Sequence, residues 1–297
     1  MKHWTASILV FFQTRFFLQL FVTCTALNAV DVRIAVSDLI SDDILESVQT
    51  LAEANSFEIS TISAGSLPAM DALRLDEISL AVIALPDGKE LSDDTFKTFP
   101  FAYKTAIIAV NKANPINEVS FDDLRGIFGS DPDLQVETWG ELNVQSLADR
   151  LIKPLIAQDK AGISTELFRH VVLNGEAMKL TINEVINSEI EGMLVNNVSS
   201  VAVLPNLPDT GAIKALMISE NSASPAFGPT NDNIYYKDYP IRLPFQIVYK
   251  KEREAELTKT LRILLSDELT KVLRADHLFV PPDTIRNSFV NSLNLVN

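Results

Sequence analysis

Cysteine is nearly absent from the 297-residue sequence, in which Cys24 is the single thiol. One thiol cannot build a disulfide framework, a redox motif or a cysteine metal site, so stability must come from packed apolar cores. The three histidines also take part in no Ser-His-Asp set or paired-histidine metal motif, and no Gly-rich phosphate loop is present. The sequence therefore predicts that the protein is not an enzyme and needs no cofactor or metal.

Basic side chains are scarce as well, with 25 Lys and Arg against 39 Asp and Glu and a net charge of -14. Without Lys2 and Arg15, which lie in a predicted leader, 23 basic side chains face 39 acidic ones, a net charge of -16. Nucleic acids are bound by clustered Lys and Arg, so no nucleic-acid partner is expected. A small anion is not excluded, because the backbone N–H groups of a helix N-terminus can hold one without a basic side chain.

Long apolar runs are also missing after residue 29, so no later stretch could span a membrane. The first 29 residues contain two basic residues and no acidic one, then the apolar run Phe16–Val22 and small residues at Ala26 and Ala29. This order predicts a signal peptide over residues 1–29, cleaved within residues 26–30, and a periplasmic or otherwise secreted protein. A membrane anchor is the alternative, but the apolar run is shorter than the roughly 20 residues that a spanning helix needs.

Lipidation of Cys24 is less favoured than simple cleavage of the signal peptide, because bulky residues precede the cysteine.

Short β-branched runs alternate with amphipathic stretches from residue 30 onward, which is typical of an α/β sheet with crossover helices. A first unit has predicted strands at Val32–Val36, Phe57–Ile62 and Ile78–Leu85, with helices starting near Ser41 and at Ser66. Further strands are predicted at Thr105–Val110, Pro154–Ala157, Val201–Leu204 and Ile241–Tyr249. Further helices are predicted at Asp122–Phe128, Ser164–Leu173, Ile182–Leu194 and within Glu252–Leu273, and Ser219–Asp238 is predicted to be irregular. A second α/β unit is therefore nested inside the chain.

Six segments follow one another in an order that matches a known family: Ala102–Asn114 with Pro115, Ser120–Gly129 with Trp139–Leu142, Ser164–Phe168, Val201–Leu204, Tyr239–Pro240 and Leu264–Glu268. They resemble the phosphate-binding protein family, the periplasmic receptors of phosphate transporters. The resemblance implies an α/β, two-lobed periplasmic-binding-protein-like fold in which each lobe is a mixed sheet flanked by helices. It places lobe I at residues 30–102 and 246–297 and lobe II at residues 103–245, with an anion held between the lobes by helix N-termini and hydroxyls.

In lobe II the resemblance points to Gln158, Gly162 and Ser164 as ligand-binding residues. The family has an Arg where this chain has Gln158, and a Ser-Gly-Thr where it has Gly162, Ile163 and Ser164. Ser164 could equally be a plain helix cap. Because a charge-assisted hydrogen bond contributes about 1.5 to 3 kcal/mol, loss of a bidentate Arg predicts weak phosphate binding.

In lobe I the resemblance points to Ser37, Asp38, Ser66 and Ser79. Ser79 stands where the family carboxylate is expected, at the start of the third strand, and Ser66 matches a Ser at the start of the second helix. Ser37 and Asp38 fall in the loop after the first strand. The plain alternatives are helix-capping or strand-start roles for the serines and a helix-start carboxylate for Asp38.

Taken together, these observations predict an extracytoplasmic solute-binding protein that holds a small molecule or anion, such as phosphate or another oxyanion, between two lobes. A membrane permease or a sensor would be its partner, and a monomer is expected. The alternative is a structural or interaction protein that keeps the binding fold with a vestigial cleft.

Overall fold

The computed structural model describes residues 32–89, 91, 93–158 and 163–293, so the predicted signal peptide and Gly162 lie outside the described residues. The first elements are β1 (Val32–Ser37), α1 (Asp42–Ala54), β2 (Ile59–Ala64), α2 (Ser66–Arg74), β3 (Leu80–Ala84), β4 (Phe96–Thr105), β5 (Ile107–Asn111), β6 (Glu118–Ser120) and α3 (Phe121–Phe128). The next are β7 (Lys153–Gln158), α4 (Ile163–Val171), β8 (Asn183–Ile186), α5 (Asn187–Asn196), β9 (Ser200–Leu204), β10 (Ile213–Ala215) and β11 (Met217–Ser219). The last are α6 (Asn231–Tyr235), β12 (Arg242–Lys250), α7 (Glu254–Leu264), α8 (Asp267–Ala275) and α9 (Asp283–Ser292).

The first sheet has the strand order β2-β1-β3-β12-β4. Strands β1, β2 and β3 are parallel, and β12 is antiparallel to both of its neighbours. Helix α1 buries Ile44, Leu45, Val48 and Ala52, a spacing that forms one apolar stripe on a 3.6-residue period. Its apolar stripe belongs to the core cluster that contains β1 and Ile59 of β2. Helix α2 belongs to a separate cluster on the opposite face, so the sheet is covered by helices on both sides.

The second sheet has the order β10-β5-β9-β7-β8. Strand β7 is parallel to both β8 and β9, whereas β5 is antiparallel to β9 and to β10. Buried strand residues join α3, α4 and α5 in a single core cluster around this sheet, with Trp139 and Phe168 fully buried within it. These two sheets give the two-lobed α/β architecture that the sequence predicts.

The chain passes between the sheets at Ala106 and at Ile241. The amide of Ala106 donates to the carbonyl of Ile241 at 3.4 Å, and the hydroxyl of Tyr239 donates to the Ala106 carbonyl at 2.8 Å. Strands β4 and β12 form one ladder that ends at this crossing, where Thr105 is paired with Arg242. The carboxyl ends of β1 to β3 and of β7 to β9 therefore lie at the sheet edges next to the crossing, which we call the first-sheet edge and the second-sheet edge.

Two predicted helices differ from the structure. The segment Ile182–Leu194 is not one helix, because residues Asn183–Ile186 pair with β7 as β8 and the helix starts only at Asn187. Pairing with a neighbouring strand outweighs the weak local helical preference of this β-branched segment. The helical stretch Glu252–Leu273 is divided into α7 and α8, because the Ser266 hydroxyl accepts from the amide of Leu269 and caps a new helix.

Some elements lie where the sequence predicts none. Helix α6 lies within the segment predicted to be irregular, and α9 and all of β4 before Thr105 lie in regions without a predicted helix or strand. Among the described residues, no helix has both the length and the hydropathy that a membrane-spanning helix requires.

Candidate functional site

Three of the predicted ligand residues lie at the first-sheet edge. Ser37 ends β1, is fully buried, and accepts a hydrogen bond from the amide of Leu39 at 3.4 Å. Asp38 follows it and is exposed. Ser66 is the first residue of α2, capped by Gly65, and its hydroxyl oxygen accepts from the amide of Ala84 at the end of β3 at 3.0 Å. The structure thus brings Ser37, Asp38 and Ser66 to one edge, although Ser66 is not the helix cap.

Ser79 is not at that edge, which corrects its predicted place in the ligand site. It precedes β3 and lies at the opposite end of the sheet, where its hydroxyl oxygen accepts from the amide of Arg33 and from the guanidinium of Arg253, both at 3.4 Å. Only 4% of Ser79 is exposed. Ligands bind at the carboxyl ends of parallel strands, and the start of such a strand lies at the opposite end of the sheet.

The lobe II candidates lie at the second-sheet edge. Gln158 is the last residue of β7 and is exposed, and its side-chain amide donates to the carboxylate of Glu184 on β8 at 3.1 Å. Ser164 is in the first turn of α4 and is buried. The start of α4 and the end of β7 are therefore at the same edge, as expected for a strand followed by its crossover helix, while Gly162 lies outside the described residues.

A cavity of about 560 Å³ opens between the ends of the two sheets. One wall comes from residues after β3 and at the start of β12, and the facing wall comes from α4. Its apolar lining includes Phe121, Ile163, Leu167 and Leu243. Since small-molecule sites usually measure about 300 to 1,000 Å³, this cavity can hold an organic molecule much larger than phosphate.

Asp87 and Arg242 form an ion pair in the lining of this cavity, and Glu166 and Arg169 of α4 form another at 2.6 Å. Two guanidinium nitrogens of Arg242 each donate to one oxygen of the Asp87 carboxylate at 2.8 Å. The remaining terminal nitrogen of Arg242 donates to the carbonyls of Ile234 and Tyr235 at the end of α6. The ammonium of Lys237 lies 3.8 Å from Asp87. Arg242 therefore connects the first-sheet edge to α6, whose Ile234 belongs to the core of the second sheet.

Two further groups of the crossing lie close to this pair. The Arg242 guanidinium lies over the Tyr103 ring at 5.3 Å from its centroid, and burial raises the pKa of Tyr103 although the nearby cation opposes this. The hydroxyl of Thr105 is buried and has no hydrogen-bond partner among the described residues. A buried polar atom of this kind is normally satisfied by water or a ligand.

Residues 25–268 match the family model of the PBP superfamily domain. The chain belongs to the PBP superfamily. Members of this superfamily are binding proteins, which agrees with the prediction that the chain is not an enzyme. A search among curated proteins gives no match.

Several solved structures have the same fold. A possible phosphate binding protein from Planctomyces limnophilus has a TM-score of 0.68 at 17% identity, covering 89% of this chain and 97% of the other. PstS from Borrelia burgdorferi has a TM-score of 0.67 at 15% identity, covering 84% and 98%. An ABC-type phosphate transport receptor from Vibrio cholerae has a TM-score of 0.58 at 19% identity, covering 84% and 100%. These likenesses confirm the two-lobed fold of the chain.

The sequence prediction missed Asp87, Arg242 and Lys237. A signal for Asp87 was available, because it comes two residues after Leu85 at the end of a buried strand, where ligands of α/β sheets collect. No comparable signal marks Arg242, because it is 155 residues away from its partner. Only the antiparallel pairing of β12 with β3 brings the two side chains together.

Other cavities of this PBP chain are weaker candidates for a ligand site. One of about 920 Å³ lies beside β6 and β11 and is lined by none of the predicted ligand residues. Two of its carboxylates already hold local structure: Asp123 accepts from Ser120 in a helix capping box, and Glu141 accepts from the amides of Glu137 and Thr138. A cavity of about 270 Å³ lies between the start of α5 and the exposed His277. No cluster of metal-ligating side chains occurs within the part of the chain that the structure describes.

Proposed function

We propose that this PBP protein is an extracytoplasmic solute-binding protein that holds a small ligand between its two sheets and delivers it to a membrane permease or a sensor. The observation that carries the proposal is the cavity of about 560 Å³ formed where the ends of both sheets meet. The superfamily membership and the start of α4 at this cavity support it. The proposed ligand-binding set consists of exposed Asp38 and Gln158, partly exposed Ser66, buried Ser37 and Ser164, and Gly162. Those that the structure describes lie at the two sheet edges and are not among the residues that line the cavity.

We expect the proposed site to bind oxyanions weakly. The proposed site has Gln158 as its neutral donor, and its amide already contacts the Glu184 carboxylate. The cationic group nearest the crossing, Arg242, is neutralised by Asp87 in a bidentate pair. Backbone N–H groups at the start of α2 would remain available to an anion. We therefore expect phosphate to bind with a Kd in the high-micromolar range or weaker.

The same ion pair favours a second function, an interaction protein with a vestigial cleft. Arg242 donates to Asp87, Ile234 and Tyr235, and Arg169, which lines the same cavity, donates to Glu166 and Gly175, so both guanidinium groups are already bound by protein groups. A protein with a vestigial cleft should bind no small ligand. A solute-binding protein should gain about 2.7 kcal/mol of stability when its ligand is present at 100 times the Kd.

Calorimetry with inorganic phosphate and a thermal-shift screen of small anions and organic solutes test these functions. Gln158→Arg should strengthen phosphate binding by up to about tenfold, because the added cation faces the edge but is partly neutralised by Glu184. Gln145→Arg, on an exposed residue remote from both sheet edges, is the matched control and should leave phosphate binding unchanged. Nanomolar phosphate binding by the unaltered chain would contradict the weak-binding proposal, and no hit in the screen would favour the vestigial cleft.

Lobe movement is part of the proposal. Lobe I would comprise residues 30–102 and 246–297 and lobe II residues 103–245, with hinge movement near residues 100–103 and 241–246. Connecting segments absorb the backbone change when lobes close over a ligand. The ladder between β4 and β12 has a register shift between Phe245 and Gln246, which is a place for such a change. X-ray scattering curves should change when a saturating ligand found in the screen is added, and identical curves would contradict lobe closure.

A further inference from the structure

The outer edge of β2 is an open strand edge among the described residues. Strand β2 is the first strand of its sheet and pairs only with β1. Its six residues, Ile59–Ala64, include no charged residue, no proline and no glycine. Natural proteins usually protect an open edge with such residues, because unpaired N–H and C=O groups can pair with another strand. Strand β8, at the edge of the second sheet, does carry a charged residue, Glu184.

The direction of the unpaired backbone groups can be read from one hydrogen bond. The carbonyl of Ala64 accepts from the amide of Asp38 after β1 at 3.2 Å, so the backbone groups of Ala64 face β1. The N–H and C=O of one residue in a strand point to the same side, and successive residues alternate. Thr61 and Ser63 therefore present their N–H and C=O groups outward, and Ser63 is exposed.

The side chains next to this edge favour an extended partner. Residues 60, 62 and 64 share the α2 face of the sheet, where α2 packs against β3 and β1. Because α2 leaves the outer strand uncovered, 51% of Ile62 is exposed, and Ser60 is exposed beside it. A strand added beside β2 would cover Ile62 with its own side chains.

Charge specifies the kind of partner. No Lys, Arg or His occurs from Ile34 to Leu73, whereas this stretch contains seven acidic residues, all of them exposed: Asp38, Asp42, Asp43, Glu46, Glu53, Glu58 and Asp71. These carboxylates belong to α1, α2 and the connections after β1 and before β2. The cations that flank this stretch are Arg33, which is opposite Ser60 in the ladder, and Arg74, which is paired with Asp71. Carboxylates therefore outnumber cations in this region, and the open edge lies in an anionic part of the molecule. A second copy of the chain would bring the same seven carboxylates and be repelled, but a basic segment would be attracted.

We propose that the outer edge of β2 binds an extended, basic segment of a partner protein as an additional strand. Backbone hydrogen bonds to Thr61 and Ser63 would provide the affinity, and the surrounding carboxylates would select Lys or Arg at the ends of the segment. The interaction is independent of the ligand cavity, which lies at the carboxyl ends of the strands and not along the side of β2.

The test uses the full chain and a fluorescent peptide with an alternating Val-Thr core and lysines at both ends. Anisotropy should show binding that weakens as salt is added, and a peptide with glutamates in place of the lysines should bind at least about tenfold more weakly. Hydrogen exchange should slow at the amides of Thr61 and Ser63 when the lysine peptide is bound. No binding up to about 1 mM peptide, a Kd corresponding to about -4.1 kcal/mol, or equal binding of the two peptides would overturn the proposal.

Ser63 offers a matched pair of variants. Ser63→Pro removes an outward N–H without breaking the ladder to β1 and should weaken peptide binding about fivefold or more, whereas Ser63→Ala keeps that N–H and should bind like the unaltered chain. Circular dichroism melting checks that both variants fold. Equal binding by the two variants would refute the edge assignment. A concentration-dependent dimer in which Thr61 and Ser63 are protected without peptide would assign the edge to a second copy and overturn the proposal.

Discussion

Replacing Asp87 with Asn should change stability and anion binding in opposite directions. The side chains of Asp87 and Arg242 are 28% and 9% exposed, so the pair lies between the exposed and buried limits. Exposed ion pairs contribute about 0 to 1 kcal/mol, and breaking a buried pair costs about 3 to 5 kcal/mol. We expect Asp87→Asn to lower the free energy of unfolding by roughly 2 to 3 kcal/mol, because Arg242 loses its counter-ion while keeping its contacts to α6. At about 2 to 4 °C per kcal/mol, the melting temperature should fall by roughly 4 to 12 °C.

The same substitution leaves the guanidinium of Arg242 without a carboxylate at the cavity. The freed guanidinium can bind an oxyanion in place of the Asp87 carboxylate. One charge-assisted hydrogen bond changes the affinity for that oxyanion by about tenfold to a hundredfold. Calorimetry should therefore show phosphate binding more tightly to Asp87→Asn than to the unaltered chain. Circular dichroism melting on the same samples gives the loss of stability.

Asp71→Asn is the control, because Asp71 also accepts from an arginine at 2.8 Å but in an exposed helix pair, with side chains 51% and 71% exposed for Arg74 and Asp71. It should change the free energy of unfolding by less than about 1 kcal/mol and leave phosphate binding unchanged. If Asp87→Asn were as stable as this control, the cavity pair would contribute no more than a surface pair. If it were less stable without binding phosphate more tightly, Arg242 would not be accessible to a ligand.

Three further outcomes follow from particular contacts. Ser79→Asp should leave calorimetric phosphate binding unchanged, because its side chain is at the far end of the sheet; tighter binding would place it at the cavity after all. The pKa of Asp283 is lowered below 3.8 mainly by a hydrogen bond from Arg286, so its contribution to stability is present above about pH 4 and lost as pH falls through the folded pKa. Asp283→Asn should consequently flatten the decrease of melting temperature below about pH 4, and an unchanged slope would refute this assignment. Gly126→Ala should destabilise the fold by about 1 to 3 kcal/mol in denaturant titrations, because its Cβ would lie 2.5 Å from the Leu134 carbonyl. Gly192→Ala, in open space on α5, should stabilise it by about 0.5 to 1 kcal/mol, and similar effects of both substitutions would contradict the packing argument.

Local periodicity explains why much of the first sheet could be predicted from the sequence. The apolar spacing of Ile44, Leu45 and Val48 defines α1 whatever lies around it, and the nearly continuous apolar run before Pro86 indicates a buried strand. The long helical stretch after residue 252 has correct buried positions, including Leu257 and Leu261, but its division was missed. Such a break depends on one capping side chain, which is a weak signal beside the continuing apolar pattern.

The sequence by itself determined the α/β class, the order of most elements and the shortage of basic groups, because these depend on composition and on contacts between near neighbours. The tertiary structure decided which end of each strand faces the cavity, and so separated Ser79 from Ser37 and Ser66. It also decided the Asp87–Arg242 pair and the strand β8, since both depend on partners distant in the chain. Such contacts arise only when strand order and register are set, and a one-dimensional pattern does not specify either.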